Sequence, residues 1–135
     1  MIRCVRIWTG SDGNSIFEEG HIALPRGERG DALSHVLGAA SISFRETGPG
    51  GAFGAHDAPA RQLVLTLSGT LEFRTAAGAT FIIRPGDVLL ADDTRGSGHS
   101  WRLVDDQPWR RAYVIVGPDV ADLFTKGAHL DRADQ

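Results

Sequence analysis

The stretch LSGTLEFRTAAGATFIIRPGDVLLADD, residues 67–93, decides the fold. Within it Leu71 and Phe73 alternate with Thr70, Glu72 and Arg74, the period of a strand with one buried face. Ser68-Gly69 makes a tight turn before it. Gly78 separates it from a second strand over 80–84, and Pro85-Gly86 suits a type II turn into a third over 87–91. Such short gaps join antiparallel neighbours, whereas a parallel crossover needs about a dozen residues or more.

The same alternation recurs on either side. In SISFRET, residues 41–47, Ile42 and Phe44 share a face opposite Ser41, Ser43 and Arg45. Further strands are expected over 2–8, 15–24, 63–68, 99–104 and 109–116. Only GPDVADLFTKG, residues 117–127, reads as a helix: Pro118 or Asp119 can start it, Val120, Leu123 and Phe124 share a face, and Gly127 can end it. The pattern predicts an all-β, antiparallel sandwich or small barrel with a short C-terminal helix packed outside. No repeat or linker divides the chain, so a single domain over 1–135 is expected. Two segments resist assignment, 25–39 and the glycine-rich 47–60. The second is a candidate rim for a pocket.

Composition narrows the function. Fourteen basic against 17 acidic residues, for a net charge of −3, leave no basic patch for nucleic acid or an anionic membrane. No apolar run approaches a membrane span, and MIRCVRIWTG lacks the apolar core of a signal peptide. Cys4 is the only cysteine, so an intrachain disulfide is impossible and a cytoplasmic, reducing location is expected. It has no base beside it in sequence and is a poor candidate nucleophile. GPGGAFG lacks the lysine of a phosphate-binding loop.

The chain resembles the cupin family, small β-barrels with motifs G-x5-H-x-H-x3,4-E-x6-G and G-x5-P-x-G-x2-H-x3-N. His56 stands at the leading histidine, Gln62 at the glutamate and Gly69 at the closing glycine, while Ala58 replaces the second histidine. In TRGSGHSWRL, Gly96 and His99 match, Thr94 replaces the proline and Leu103 the asparagine. The resemblance covers residues 44–116 and implies a jelly-roll cupin barrel. Cupins typically hold iron, manganese, nickel or zinc, and the resemblance carries over only His56, His99 and Gln62 as ligands. An amide oxygen is neutral, so charge compensation for a dication is lost. Asp57, Asp92 and Asp93 are nearby carboxylates, but nothing in the spacing aims them inward. Members with eroded ligand sets work without metal, and no cofactor is the preferred expectation.

Spacing supports a pocket independently. His99, Trp101 and Leu103 share one strand face, which points inward. Gln62, Val64, Thr66 and Ser68 share another, opposite the more apolar Leu63, Leu65 and Leu67. Either face of that strand can be the inner one, and both are served only if the leucine face is covered too. The expected function is small-molecule binding: a carboxylate or sugar-like compound held between His56, Gln62, His99 and Trp101. His99, stacked by Trp101 and facing Gln62, would hydrogen-bond the ligand or act as a base. One alternative is a metal-dependent enzyme of dioxygenase, isomerase or lyase type. Another is an assembly module with an idle interior. Arg61, Arg84 and Arg95 are lesser candidates for an acidic ligand. Trp8 and Trp109 read as core or subunit contacts, and His21, His35 and His129 as bystanders. A homodimer is expected, since pairing would protect edge strands and cover the outer apolar face.

Overall fold

The computed structural model describes residues 1–127, so His129 lies outside the described residues. Thirteen strands appear among them: β1 (Arg3–Thr9), β2 (Ser15–Ile22), β3 (Arg26–Glu28), β4 (Asp31–Leu33), β5 (Ala39–Thr47), β6 (Ala52–His56), β7 (Gln62–Ser68), β8 (Leu71–Thr75), β9 (Thr80–Ile83), β10 (Val88–Asp92), β11 (His99–Leu103), β12 (Trp109–Val116) and β13 (Phe124–Lys126). A seven-stranded sheet runs β13-β2-β1-β10-β7-β12-β5. It faces a four-stranded sheet ordered β6-β11-β8-β9, and β3 and β4 form a separate hairpin. The architecture is the all-β arrangement of antiparallel strands expected from the alternation, in the two-sheet form that the resemblance to cupins implies.

Pairing is antiparallel with one exception. β1 lies parallel to β10, from Cys4 opposite Val88 to Trp8 opposite Asp92. The long chain between them makes that direction accessible. The central strands β1 and β10 are covered on both faces, which explains the unbroken apolar run Val88-Leu89-Leu90-Ala91. Val5, Ile7, Leu89 and Ala91 join Phe73, Phe81, Leu103 and Trp109 between the sheets. Cys4, Val88 and Leu90 face a second cluster with Val120 and Leu123.

The two faces of β7 are both used. Val64 and Thr66 are buried inward, while Leu63 and Leu65 pack outward against the second cluster, beside Leu24 and Leu37. The register against β12 shifts between Arg110, opposite Ser68, and Arg111, opposite Thr66. Leu67 sits at that bulge and is 59% exposed.

The expected C-terminal helix is corrected. Pro118–Leu123 forms only a 3₁₀ turn, and Phe124–Lys126 then pairs with β2 as the edge strand β13. Val120 and Leu123, three residues apart, both reach the core, a spacing that one tight turn satisfies as well as a helix does. Gly20 opposite Lys126 makes the pairing possible, because a Cβ there would run into the Thr125 carbonyl and the Phe124 ring.

Candidate functional site

The glycine-rich segment 47–60, expected as a loop, contains β6. AFGAH pairs with β11 and sets His56 directly opposite His99. Gly98 permits this approach. Its φ is +69°, and a Cβ would collide with the His56 carbonyl. The two imidazole centroids stand 4.7 Å apart.

Each ring is oriented through Nδ1. His99 Nδ1–H donates to Asp93 Oδ2 at 2.5 Å, and Ser15 Oγ–H donates to the same oxygen at 2.8 Å. His56 Nδ1–H donates to the Gly54 carbonyl at 2.9 Å. Both acceptors therefore fix the proton on Nδ1 and leave Nε2 of each ring available. Asp93 is fully buried, and its Oδ1 has no partner among the described residues. Of the three nearby carboxylates named from the sequence, Asp93 turns inward, which nothing in the spacing indicated. His99 also keeps different company than expected: its ring neighbours are His56 and Phe73, whereas Trp101 meets Trp109 edge-on at 4.6 Å and Phe53 at 6.3 Å.

His56, Gln62, His99 and Trp101, from three strands, line one inner cavity of about 30 Å³, room for a single water. It shares His56, Gln62, Trp101 and Tyr113 with a cleft of about 380 Å³ between β5 and β6. Phe53, Trp101 and Tyr113 wall that cleft, and Arg45 and Arg111 contribute its charge. Among the described residues no carboxylate lines it. Arg111 is 3% exposed and its guanidinium lies over Trp109, 3.7 Å from the ring centroid. Nε donates to Tyr113 Oη, and Nη1 to Thr47 Oγ1 and the Trp109 carbonyl. Burial draws its pKa down from the ordinary value.

The remaining candidates lie elsewhere. Arg61 pairs with Asp92 at 3.0 Å. The Arg95 carbonyl accepts from Thr9, the Arg84 amide donates to Asp87, and Asp57 is exposed. Trp8 stacks under Arg6, while Trp109 is core, with Nε1–H donating to Thr66 Oγ1. His21 is half-buried, its Nδ1 without a partner among the described residues, and His35 is exposed. Cys4 is 1% exposed, and burial pushes its thiol up to about 12. Sequence reasoning named Asp93 without its role and missed Ser15, Phe53, Arg111 and Tyr113. One signal was present for two of them: Trp109, Arg111 and Tyr113 alternate on the inner face of β12.

The donor set does not fit a catalytic dication. Only two imidazoles and a weakly donating carboxamide meet there, and among the described residues no three His, Cys, Asp or Glu side chains converge as the three protein ligands such a site uses. Asp93 is engaged behind His99, as an orienting group.

Residues 38–135 match the model of the AraC-like ligand binding domain family. The cupin-domain-containing oxidoreductase srdB of Neurospora crassa is 29% identical over 98 residues, covering 72% of this chain and 47% of that protein. The chain thus spans about half the length of this curated relative. A Cupin 2 conserved barrel domain protein from Salinispora arenicola aligns over 83% of this chain and 87% of its own, at 19% identity and a TM-score of 0.47. A double-stranded β-helix protein from Klebsiella pneumoniae aligns over 77% and 90%, at 16% identity and a TM-score of 0.47.

Proposed function

The chain belongs to the AraC-like ligand binding domain family, cupin in fold, and from that premise we propose that it binds a small organic molecule between its two sheets. The supporting observation is the shared lining: His56, Gln62 and Trp101 border both the inner cavity and the wider cleft, with His99 behind them. In this reading the cleft takes the body of the ligand. Nε2 of His56 and of His99 and the Gln62 amide supply directional hydrogen bonds, and Trp101 supplies an apolar wall. A volume of about 380 Å³ lies in the range of small-ligand pockets, ~300–1,000 Å³. A thermal-shift screen of small acids and sugars tests it. At least one compound should raise Tm, and His56→Ala should abolish that rise; a screen without hits, or hits indifferent to His56, would defeat the reading.

Metal-dependent chemistry is a second reading with one observation behind it: Nδ1 of both histidines is engaged, as in metal-bound imidazoles. The sparse donor set stands against it. Stoichiometric iron, manganese, nickel or zinc in protein purified without chelator, and lost in His99→Ala, would favour it over the metal-free pocket.

We also infer self-association as a homodimer through the outer face of β5, β12 and β7. Ile42, Phe44 and Leu67 are 60%, 72% and 59% exposed there, a concentration that marks interaction surfaces. A reducing cytosol suits the single buried thiol, and among the described residues no helix is long and apolar enough to cross a membrane.

A further inference from the structure

Arg111 is a buried cation without a counter-anion among the described residues. No carboxylate pairs with it among the described residues, and every group it touches is neutral: a phenol, a hydroxyl, a carbonyl and the Trp109 ring. Burying a charge with only neutral partners is costly, and folds normally avoid it by pairing. Its structural work is done by Nη1, which ties β12 to Thr47 on β5, and by Nε, which holds the Tyr113 hydroxyl on its own strand. Nη2 donates to nothing among the described residues, and Arg111 is one of the side chains that line the cleft. A second arginine lies beside it. Arg45 stacks on Tyr113, 4.7 Å from the ring centroid, and it too has no acidic partner among the described residues. The nearby acid that would serve, Glu46, points to the other face and is taken by Arg110 at 2.6 Å.

We propose that the cleft reads an organic carboxylate, with Arg111 as its buried anion-binding residue, Arg45 as a second cation at the rim, and Phe53, Trp101 and Tyr113 as walls for a planar apolar body. This deepens the reading of the cleft as a ligand pocket and rests on it. A carboxylate is planar and matches the guanidinium fork, and it would supply the missing charge inside a partly desolvated slot. The aromatic walls favour an unsaturated or aromatic acid over a short polyol. Two cations and, among the described residues, no acid also disfavour amines.

The matched probes benzoate, benzamide and phenyl phosphate separate charge from shape, and carboxylate from phosphate. Calorimetry on the full chain should show benzoate binding and benzamide at least about tenfold weaker, as expected for loss of a charge-assisted contact. Arg111→Lys keeps a charge but loses the fork and should weaken benzoate by roughly 10- to 100-fold. Arg45→Gln alters an exposed side chain, leaves the fold intact and should weaken benzoate several-fold with a reduced salt dependence. Equal binding of benzoate and benzamide, a preference for phenyl phosphate, or full benzoate affinity in both variants would overturn the assignment. A sugar that binds, is lost in His56→Ala and ignores both arginine variants would overturn it while leaving the pocket reading intact. No binding by any small molecule would overturn both.

Discussion

Cys4 shows how burial alone sets a residue's chemistry. Its sulfur lies in the cluster behind β1 and β10, and desolvation raises the thiol from 9.0 to about 12. The raised folded-state value means that unfolding releases a proton above about pH 9. The contribution is complete below that pH and is lost as pH climbs toward 12, by about 1.4 kcal/mol per pH unit. Urea titrations of the parent protein and Cys4→Ala should therefore converge as pH rises from 9 to 11. Parallel curves would show that the thiol does not titrate with unfolding. The lone cysteine was legible in the sequence as an unlikely nucleophile, but the barrier to its ionisation comes from its neighbours. Asp93 illustrates the same limit. Its identity was visible six residues before His99, yet nothing in a polar loop announces that its carboxylate turns inward to hold the His99 ring.

At the level of elements, the alternating apolar pattern located most strands to within a residue or two. The failures have particular causes. β6 reads Ala-Phe-Gly-Ala-His, with one large apolar side chain, so its pairing depends on the close approach of β11. The stretch 117–127 carries a spacing that helix and 3₁₀ turn share, and the choice fell to the open edge of β2, which took up β13. The β6–β11 junction gives a direct test. Gly98→Ala places a Cβ against the His56 carbonyl at a left-handed backbone position and should cost about 1–3 kcal/mol. Denaturation would read the loss, and chemical shifts of the His56 and His99 rings should move together. Parent-like stability would mean that β6 is not held against β11 as described.

Across the whole molecule, the β5 end of the larger sheet's outer face carries a group of exposed apolar side chains, Ile42, Phe44 and Leu67. Phe44 faces Ala112 across the strand pair, and Ile42 faces Val114. Phe44→Glu changes a side chain outside the monomer's core, so the protein should remain folded and shift from dimer to monomer in light scattering. An unchanged mass would remove this face from the interface. By itself, the sequence determined the all-β class, the turns at Gly69, Gly78 and Gly86, and the inward face of β11, because these follow from local steric rules and from the two-residue period of a strand. It also brought forward His56, Gln62, His99 and Trp101 as residues that could meet. Only the tertiary structure decided which face of β7 turns inward, that Asp93 stands behind His99, and that Arg111 lies buried beside a cleft lined by no acid among the described residues. Those outcomes depend on what two sheets bring within a few ångströms of each other, and a charge acquires its meaning only from the groups and the water around it.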